Sequence, residues 1–368
     1  MAVAQKSFVR RRVFPAIAVL LATAITLGAL ELVAWLALHK KWPRKPGIPA
    51  NEWVVLTGHG RRLRPNLDFT QWFQMSGQEV RVRTNSLGFR GGEVPPKTPG
   101  KKRVLVLGDS ITLSAYLPEE QTFTTLAAKI LSASSPVEVI NAGVYDVGLR
   151  EEIWILKESG LKVSPDLVVV GFYLNDSRPP WGFENEYYRL PPRLTEASKT
   201  LEQYSYLYMW VWKRILVTHF LGHNMANRLN WQDEYGSSNW RADKAAYSHL
   251  ISSASLDWGS AWDEKSWPAL YSGFDELRGL AEKNNFKLAV VIFPVAVQVR
   301  SSVADDFPQQ KMKSYCAAHQ LPCLDLLPLL REHQAENIYY DHCHFTAEGS
   351  QLIAGPIAQF IAEGLKTK

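Results

Sequence analysis

The sequence predicts an α/β domain built on a parallel sheet, carried behind one N-terminal membrane-spanning helix. Two observations predict the sheet: short continuous Val/Ile/Leu runs recur along the chain, and amphipathic helical patterns alternate with them. A third predicts the span: Phe14 to Leu38 reads FPAIAVLLATAITLGALELVAWLAL, 25 residues with one ionisable group, Glu31.

Composition narrows the function classes first. With 46% hydrophobic and 21% charged residues in 368, the bulk of the chain can bury a core and is neither disordered nor low-complexity. The net charge of +5 is local: residues 1–45 hold eight Lys/Arg against the single acid Glu31, leaving 33 basic and 35 acidic residues beyond them. Basicity therefore belongs to the N-terminus, which weakens the case for a nucleic-acid-binding surface on the body, and no nucleic-acid partner is expected.

Residues 1–13 form a basic N-terminus, and 14–38 a transmembrane anchor, a cleaved signal peptide being the competing reading. The anchor is preferred because the apolar run outlasts an ordinary signal core and continues past Glu31 to Trp35 and Leu38. Glu31 reads as reaching for the outer interface, with a polar contact to a partner helix as the alternative. Four positive side chains precede the span and four follow it, so charge does not choose an orientation.

Residues 39–50, with three prolines and four charges, read as a linker. Residues 51–100 read as a β-rich lead-in: Glu79 to Thr84 alternates at period two and Asn85-Ser86-Leu87-Gly88 supplies a turn. The main domain, 101–368, opens with a strand at Arg103–Leu107 ending in Gly108-Asp109-Ser110, and a helix patterned on Phe123, Leu126, Ala127, Ile130 and Leu131 follows. Further strands are expected at Val137–Ile140, Asp166–Gly171, Lys287–Ile292 and 322–326. Helices are expected over 149–158, near 267–283 and from Thr346. Between them, 177–265 reads as a mostly helical insertion rich in Trp and Tyr, a packed helical region or an aromatic surface for glycans or lipids.

Ligands of an open parallel sheet bind beyond the carboxyl ends of its strands, where Gly108-Asp109-Ser110, Asn141-Ala142-Gly143 and Asn175-Asp176 all fall. Ser110, following a buried strand at a helix start, is placed as a nucleophile. Asp341-His342-Cys343-His344 offers a base, because a carboxylate three residues before His344 can hold its Nδ1–H and leave Nε2 free for the serine proton. Metal binding by Asp341, His342, Cys343 and His344, or by His219 and His223, is a rival reading. Read alone, Gly143 could equally be a tight turn and Asn175 a loop cap. Cys316 and Cys323 could pair or remain buried thiols, and Cys343 reads as packing.

The ordered set Gly108-Asp109-Ser110-Ile111, Gly143 after Asn141-Ala142, Gly171 through Asn175-Asp176, and Asp341-His342-Cys343-His344 resembles the SGNH, or GDSL-type, hydrolases. The segment Asn85 to Gly91 is similar to one found upstream of the serine motif in some bacterial members. The resemblance implies a flavodoxin-like three-layer α/β/α domain without metal or organic cofactor. It implies Ser110 as nucleophile, His344 as general base and acid, and Asp341 as the residue orienting it. The oxyanion hole would be the Ser110 and Gly143 N–H groups and the Asn175 amide. Gly171 stands four positions before Asn175 and is not taken into the site.

The expected function is ester hydrolysis outside the cytoplasm, removing acetyl-like acyl groups from a small-molecule, glycan or lipid substrate. Transfer of the acyl group to an exopolysaccharide or envelope glycan is the alternative, and a non-catalytic envelope scaffold a third. Protein partners are left open.

Overall fold

The computed structural model describes residues 2–38, 53–57, 60–133, 136–177, 201, 205–211 and 231–366. The expected linker 39–50, parts of the expected insertion, and His219 and His223 lie outside the described residues. The chain divides into two compact units, Met1–Lys45 with Tyr188–Met225, and Pro46–Tyr187 with Ala226–Lys368.

In the first unit, helix α1 spans Ala2–Leu38. Its Phe14–Leu38 portion has a mean hydropathy of 2.2 and leaves its apolar side chains exposed. A carboxylate of α1 is engaged in this unit: Glu31 accepts hydrogen bonds from Ser205 Oγ, Tyr206 N and Leu207 N. The expected reach of Glu31 to the interface is thereby corrected to its alternative, contact with another helix. The reason is that the start of that helix supplies backbone N–H donors that the Glu31 carboxylate accepts.

The second unit begins with two antiparallel ladders, β1 (Val54–Thr57) with β2 (Gly60–Leu63) and β3 (Asp68–Phe73) with β4 (Gln78–Arg83). In β4 only Val80 and Val82 are buried, as the alternation requires. Asn85 closes the following turn, its Oδ1 accepting the N–H groups of Leu87 and Phe89 at 3.0 Å.

The remaining strands are β5 (Lys102–Gly108), β6 (Val137–Gly143), β7 (Leu167–Tyr173), β8 (Lys287–Phe293) and β9 (Cys323–Asp325). They form one parallel sheet in the order β6-β5-β7-β8-β9, which is the flavodoxin-like arrangement 2-1-3-4-5. All seven residues of β7 are buried, the pattern of a strand covered on both faces. The helices are α2 (Ser110–Leu113), α3 (Phe123–Ser132), α4 (Leu149–Glu158), α5 (Tyr206–Val211, in the first unit), α6 (Trp231–Ser237), α7 (Lys244–Ser253), α8 (Trp267–Asn284), α9 (Ala296–Arg300), α10 (Phe307–Ala318), α11 (Leu327–Glu332) and α12 (Ala347–Lys366).

Chain direction reverses at β5: α3 leads outward to β6, whereas later connections run toward β9. Right-handed crossovers therefore put α3 on one face and α4 and α8 on the other. α12 closes the fold by packing on α3, and α8 meets α4 where Gly273 abuts Leu149. The reversal between β5 and β7 opens the crevice at the strand ends.

Beyond α5's stretch of the expected insertion, the large aromatic residues at 231, 240 and 258 are interior. Trp231 and Trp240 are 2% exposed and Trp258 is fully buried, so of the two sequence readings packing describes them and a glycan platform does not. Cys316, Cys323 and Cys343 are unpaired thiols.

Candidate active site

β5 delivers Ser110. Gly108 ends the strand where a Cβ would stand 2.1 Å from Thr112 Oγ1, so only glycine lets the chain turn this tightly into α2. Asp109 then caps α2, its Oδ1 accepting the Ile111 N–H at 2.8 Å. The cap engages Ile111 rather than Ser110, and Ser110 itself is partly exposed at the helix start.

The short helix is anchored from beneath by two residues. Asn141 Nδ2 donates to the Thr112 carbonyl at 2.7 Å and to Thr124 Oγ1 at 3.2 Å. Arg90 donates at 2.5 Å to the carbonyls of Leu113, Ser114 and Leu117. Its own N–H donates to Asn141 O at 3.1 Å, joining the lead-in to the edge strand β6. Burial pushes the Arg90 guanidinium down to about 10, so it remains a cation at neutral pH. Sequence spacing assigns neither residue a role, though Asn141 stands beside Gly143 and Arg90 within the Asn85–Gly91 segment. Their work is to satisfy carbonyls that a one-turn helix leaves open.

His344 arrives on a tight loop between β9 and α12. Tyr339 pairs with Phe345, Tyr340 N donates to His344 O at 2.8 Å, and Asp341 Oδ1 accepts the N–H groups of Cys343 at 2.9 Å and His344 at 2.8 Å. Outside support comes from α6, where Tyr235 Oη donates to the Asp341 carbonyl at 3.1 Å, and from Ala296 N, which donates to His342 O at 2.7 Å. Trp231 packs edge-on against His342 with ring centroids 4.5 Å apart.

These elements meet in one line of hydrogen bonds. Asp341 Oδ2 lies 2.7 Å from His344 Nδ1, and His344 Nε2 lies 2.9 Å from Ser110 Oγ. Tyr116 stands edge-on to the imidazole, 5.2 Å between centroids, fixing its plane from the side. Burial alone would lower the His344 pKa, but the Asp341 charge and hydrogen bond outweigh it and the net shift is upward. Asp341 is likewise opposed by burial, yet the facing His344 holds its carboxyl well below the ordinary range.

The expected oxyanion donors fare differently. Asn175, buried in the turn after β7, places its Nδ2 3.4 Å from Asp109 Oδ2, beside the residue preceding Ser110. The Gly143 N–H donates to Asn141 Oδ1 at 3.0 Å, and its open side faces the Thr112–Leu113 peptide, where a Cβ would lie 2.3 Å from Leu113 N. Its missing side chain permits close packing under α2.

Asp341, His342 and Cys343 bring potential ligand atoms within 4.8 Å of one another. The donor set suits a cation poorly, because Asp341 already accepts from two N–H groups and faces His344, and burial keeps the Cys343 thiol protonated. A concavity of about 120 Å³ lies elsewhere, lined by Arg90, Glu93, Glu119, Thr124 and Asn141 among others, and contains none of the three aligned residues.

No family model and no curated protein matches the chain. Solved structures similar to it include a lipolytic protein of the G-D-S-L family from Desulfitobacterium hafniense, at 11% identity and TM-score 0.35, covering 71% of this chain and 99% of that one. The lipase/acylhydrolase from Enterococcus faecalis matches at 16% identity and TM-score 0.36, covering 73% and 98%. An acetylxylan esterase from Geobacillus stearothermophilus matches at 11% identity and TM-score 0.38, covering 73% and 96%. The functional reading rests on the hydrogen-bonded line through Ser110 rather than on these likenesses.

Proposed function

We propose that the chain is a serine-dependent ester hydrolase of the SGNH type, held at a membrane by residues 14–38, with its body outside the cytoplasm. The observation that carries the reading is the continuous line Asp341–His344–Ser110, at 2.7 and 2.9 Å. A hydroxyl 2.9 Å from an imidazole nitrogen whose other nitrogen faces a carboxylate is the arrangement that general-base activation needs.

Ser110 Oγ attacks the acyl carbonyl carbon while its proton passes to His344 Nε2. The carbonyl oxygen becomes an oxyanion near the α2 N-terminus, where the Ser110 N–H and Asn175 Nδ2 are the candidate donors, each worth roughly 3–4 kcal/mol of barrier. The bond to the leaving alcohol breaks as His344 returns the proton to it, leaving an acyl-serine. Water then gives a proton to His344 and its oxygen to the acyl carbon. Collapse restores the Ser110 hydroxyl and releases the carboxylic acid. Asp341 stays ionised throughout and holds the ring in the tautomer that accepts at Nε2. The substrate class is an acyl ester with an acetyl-like group, on an envelope or extracellular molecule.

The test uses full-length protein in detergent, because residues 188–225 form one compact unit with the N-terminal helix and an anchorless chain would strip them of it. Hydrolysis of p-nitrophenyl acetate and butyrate should be abolished in Ser110→Ala and in His344→Ala while circular dichroism stays that of the wild type. A well-folded wild type without turnover, or variants that keep it, would refute the mechanism.

A further inference from the structure

Glu31 is the only ionisable residue in the Phe14–Leu38 run, and its carboxylate is occupied by the start of α5. Oε1 accepts the Tyr206 N–H at 2.6 Å, and Oε2 accepts Ser205 Oγ–H at 2.6 Å and the Leu207 N–H at 3.1 Å. Ser205 Oγ in turn accepts the Tyr208 N–H at 2.9 Å, and the Ser205 N–H donates to Leu201 O at 2.8 Å. The backbone donors from Ser205 to Tyr208, those a helix start ordinarily leaves to water, are thus all satisfied within the protein.

Depth follows from position. Glu31 lies five residues past the midpoint of Phe14–Leu38, about 7.5 Å along the axis at 1.5 Å per residue. In a hydrocarbon layer about 30 Å thick centred on the span, that is about 7–8 Å inside the boundary. The groups bonded to Glu31 share its depth. In hydrocarbon a bare carboxylate and bare N–H groups are each costly, and pairing them removes both costs together.

We infer that α5 is a membrane-embedded element, packed on the anchor with Trp210 facing lipid. Tyr206 to Val211, YLYMWV, carries no charge. Ala34, one helical turn beyond Glu31, is 8% exposed, as is Tyr206, so a small residue lets the two helices approach. Trp210 remains 47% exposed and Leu201 46%, an apolar surface whose occupant is the bilayer that surrounds the exposed apolar side chains of α1. This rests on the anchor reading and is independent of the ester chemistry.

The experiment places a photoreactive benzoyl-phenylalanine at position 210 of the full chain, reconstituted in vesicles of phosphatidylethanolamine and phosphatidylglycerol. The same probe at Leu27, in α1, and at Ile130, on the surface of the body, brackets the range. Lipid adducts at 210 should match those at Leu27 and exceed those at Ile130 by about tenfold. In parallel, Glu31→Cys with Ser205→Cys should form an intramolecular disulfide under mild oxidation in the same vesicles. Adducts at Leu27 without adducts at 210, or without the disulfide, would overturn the embedded helix and leave the anchor standing. A mature chain whose intact mass lacks residues 1–38, or no adducts at Leu27, would overturn the anchor and the embedded helix together.

Discussion

Asp341 grips His344 at two points: Oδ2 faces the ring Nδ1 at 2.7 Å, and Oδ1 accepts the His344 backbone N–H at 2.8 Å. One carboxylate therefore sets both the tautomer of the base and the shape of the loop that carries it. The two roles separate by substitution. Asp341→Asn keeps an acceptor for the loop N–H groups but cannot hold a protonated imidazole, so kcat should fall by roughly 10³–10⁴ with the melting temperature little changed. Asp341→Ala should lose the loop contacts as well, costing about 1–3 kcal/mol more in stability by denaturant titration. An Asn variant retaining most of the wild-type kcat would contradict the orienting role.

Catalysis needs His344 neutral, and the Asp341 charge raises its pKa despite burial. The acid limb of kcat/KM should accordingly lie above the ordinary histidine value of about 6.5 and move to lower pH in Asp341→Asn. Stability carries the opposite sign. The raised His344 pKa contributes stability fully below about 6.5 that is lost as pH rises through the folded value. The lowered Asp341 pKa contributes stability above about 3.9 that is lost as pH falls through its folded value. The pair stabilises most between those two limits, a window that thermal melts against pH would reveal and His344→Ala should flatten.

Arg90 spends its guanidinium on carbonyls of α2 and the turn beyond it, 20 or more residues away in sequence. Arg90→Ala should cost about 3–5 kcal/mol, since three buried acceptors lose a charged donor. Arg90→Lys keeps the cation without the fork and should recover part of the stability. If Arg90 positions Ser110 through α2, kcat of the lysine variant should fall while KM for the p-nitrophenyl ester holds. A kcat per folded molecule equal to that of the wild type would indicate a role in stability alone.

The sheet was legible because strands buried on both faces read as unbroken Val/Ile/Leu runs, as β5 and β7 do. Ser110, Asp341 and His344 were legible because local spacing and strand ends place them. Contacts between distant segments left no such trace. Nothing in the periodicity of residues 205–211 points to Glu31, and the Tyr235 hydroxyl under Asp341 bridges 106 residues. Gly143 is ambiguous for a related reason: a glycine after a strand looks the same whether its N–H or its missing Cβ is what matters.

Tyr235 tests how far the aromatic region supports the site. Its hydroxyl donates to the Asp341 carbonyl at 3.1 Å while its ring stacks on Trp240 with centroids 5.4 Å apart. Tyr235→Phe removes only the hydroxyl, leaving a carbonyl unpaired, and should cost about 1 kcal/mol with a several-fold drop in kcat. Trp231→Ala removes a buried indole packed on His342 and should cost about 3–5 kcal/mol. Chemical denaturation would report both values.

Gly143→Ala separates packing from donation, because alanine keeps the N–H and adds only a methyl group. That methyl would stand 2.3 Å from Leu113 N and 2.8 Å from the Thr112 carbonyl carbon, backbone atoms of the helix that presents Ser110. α2 must move or β6 must open, so stability should fall by about 2–4 kcal/mol and kcat should fall with it. Were the glycine an oxyanion donor with room around it, the variant would melt like the wild type and keep its activity. Asn141→Ala supplies the complement: it frees the Gly143 N–H, removes the donor from the Thr112 carbonyl at 2.7 Å, and adds no bulk. A donor role for Gly143 would leave kcat intact in Asn141→Ala, whereas support of α2 requires it to drop.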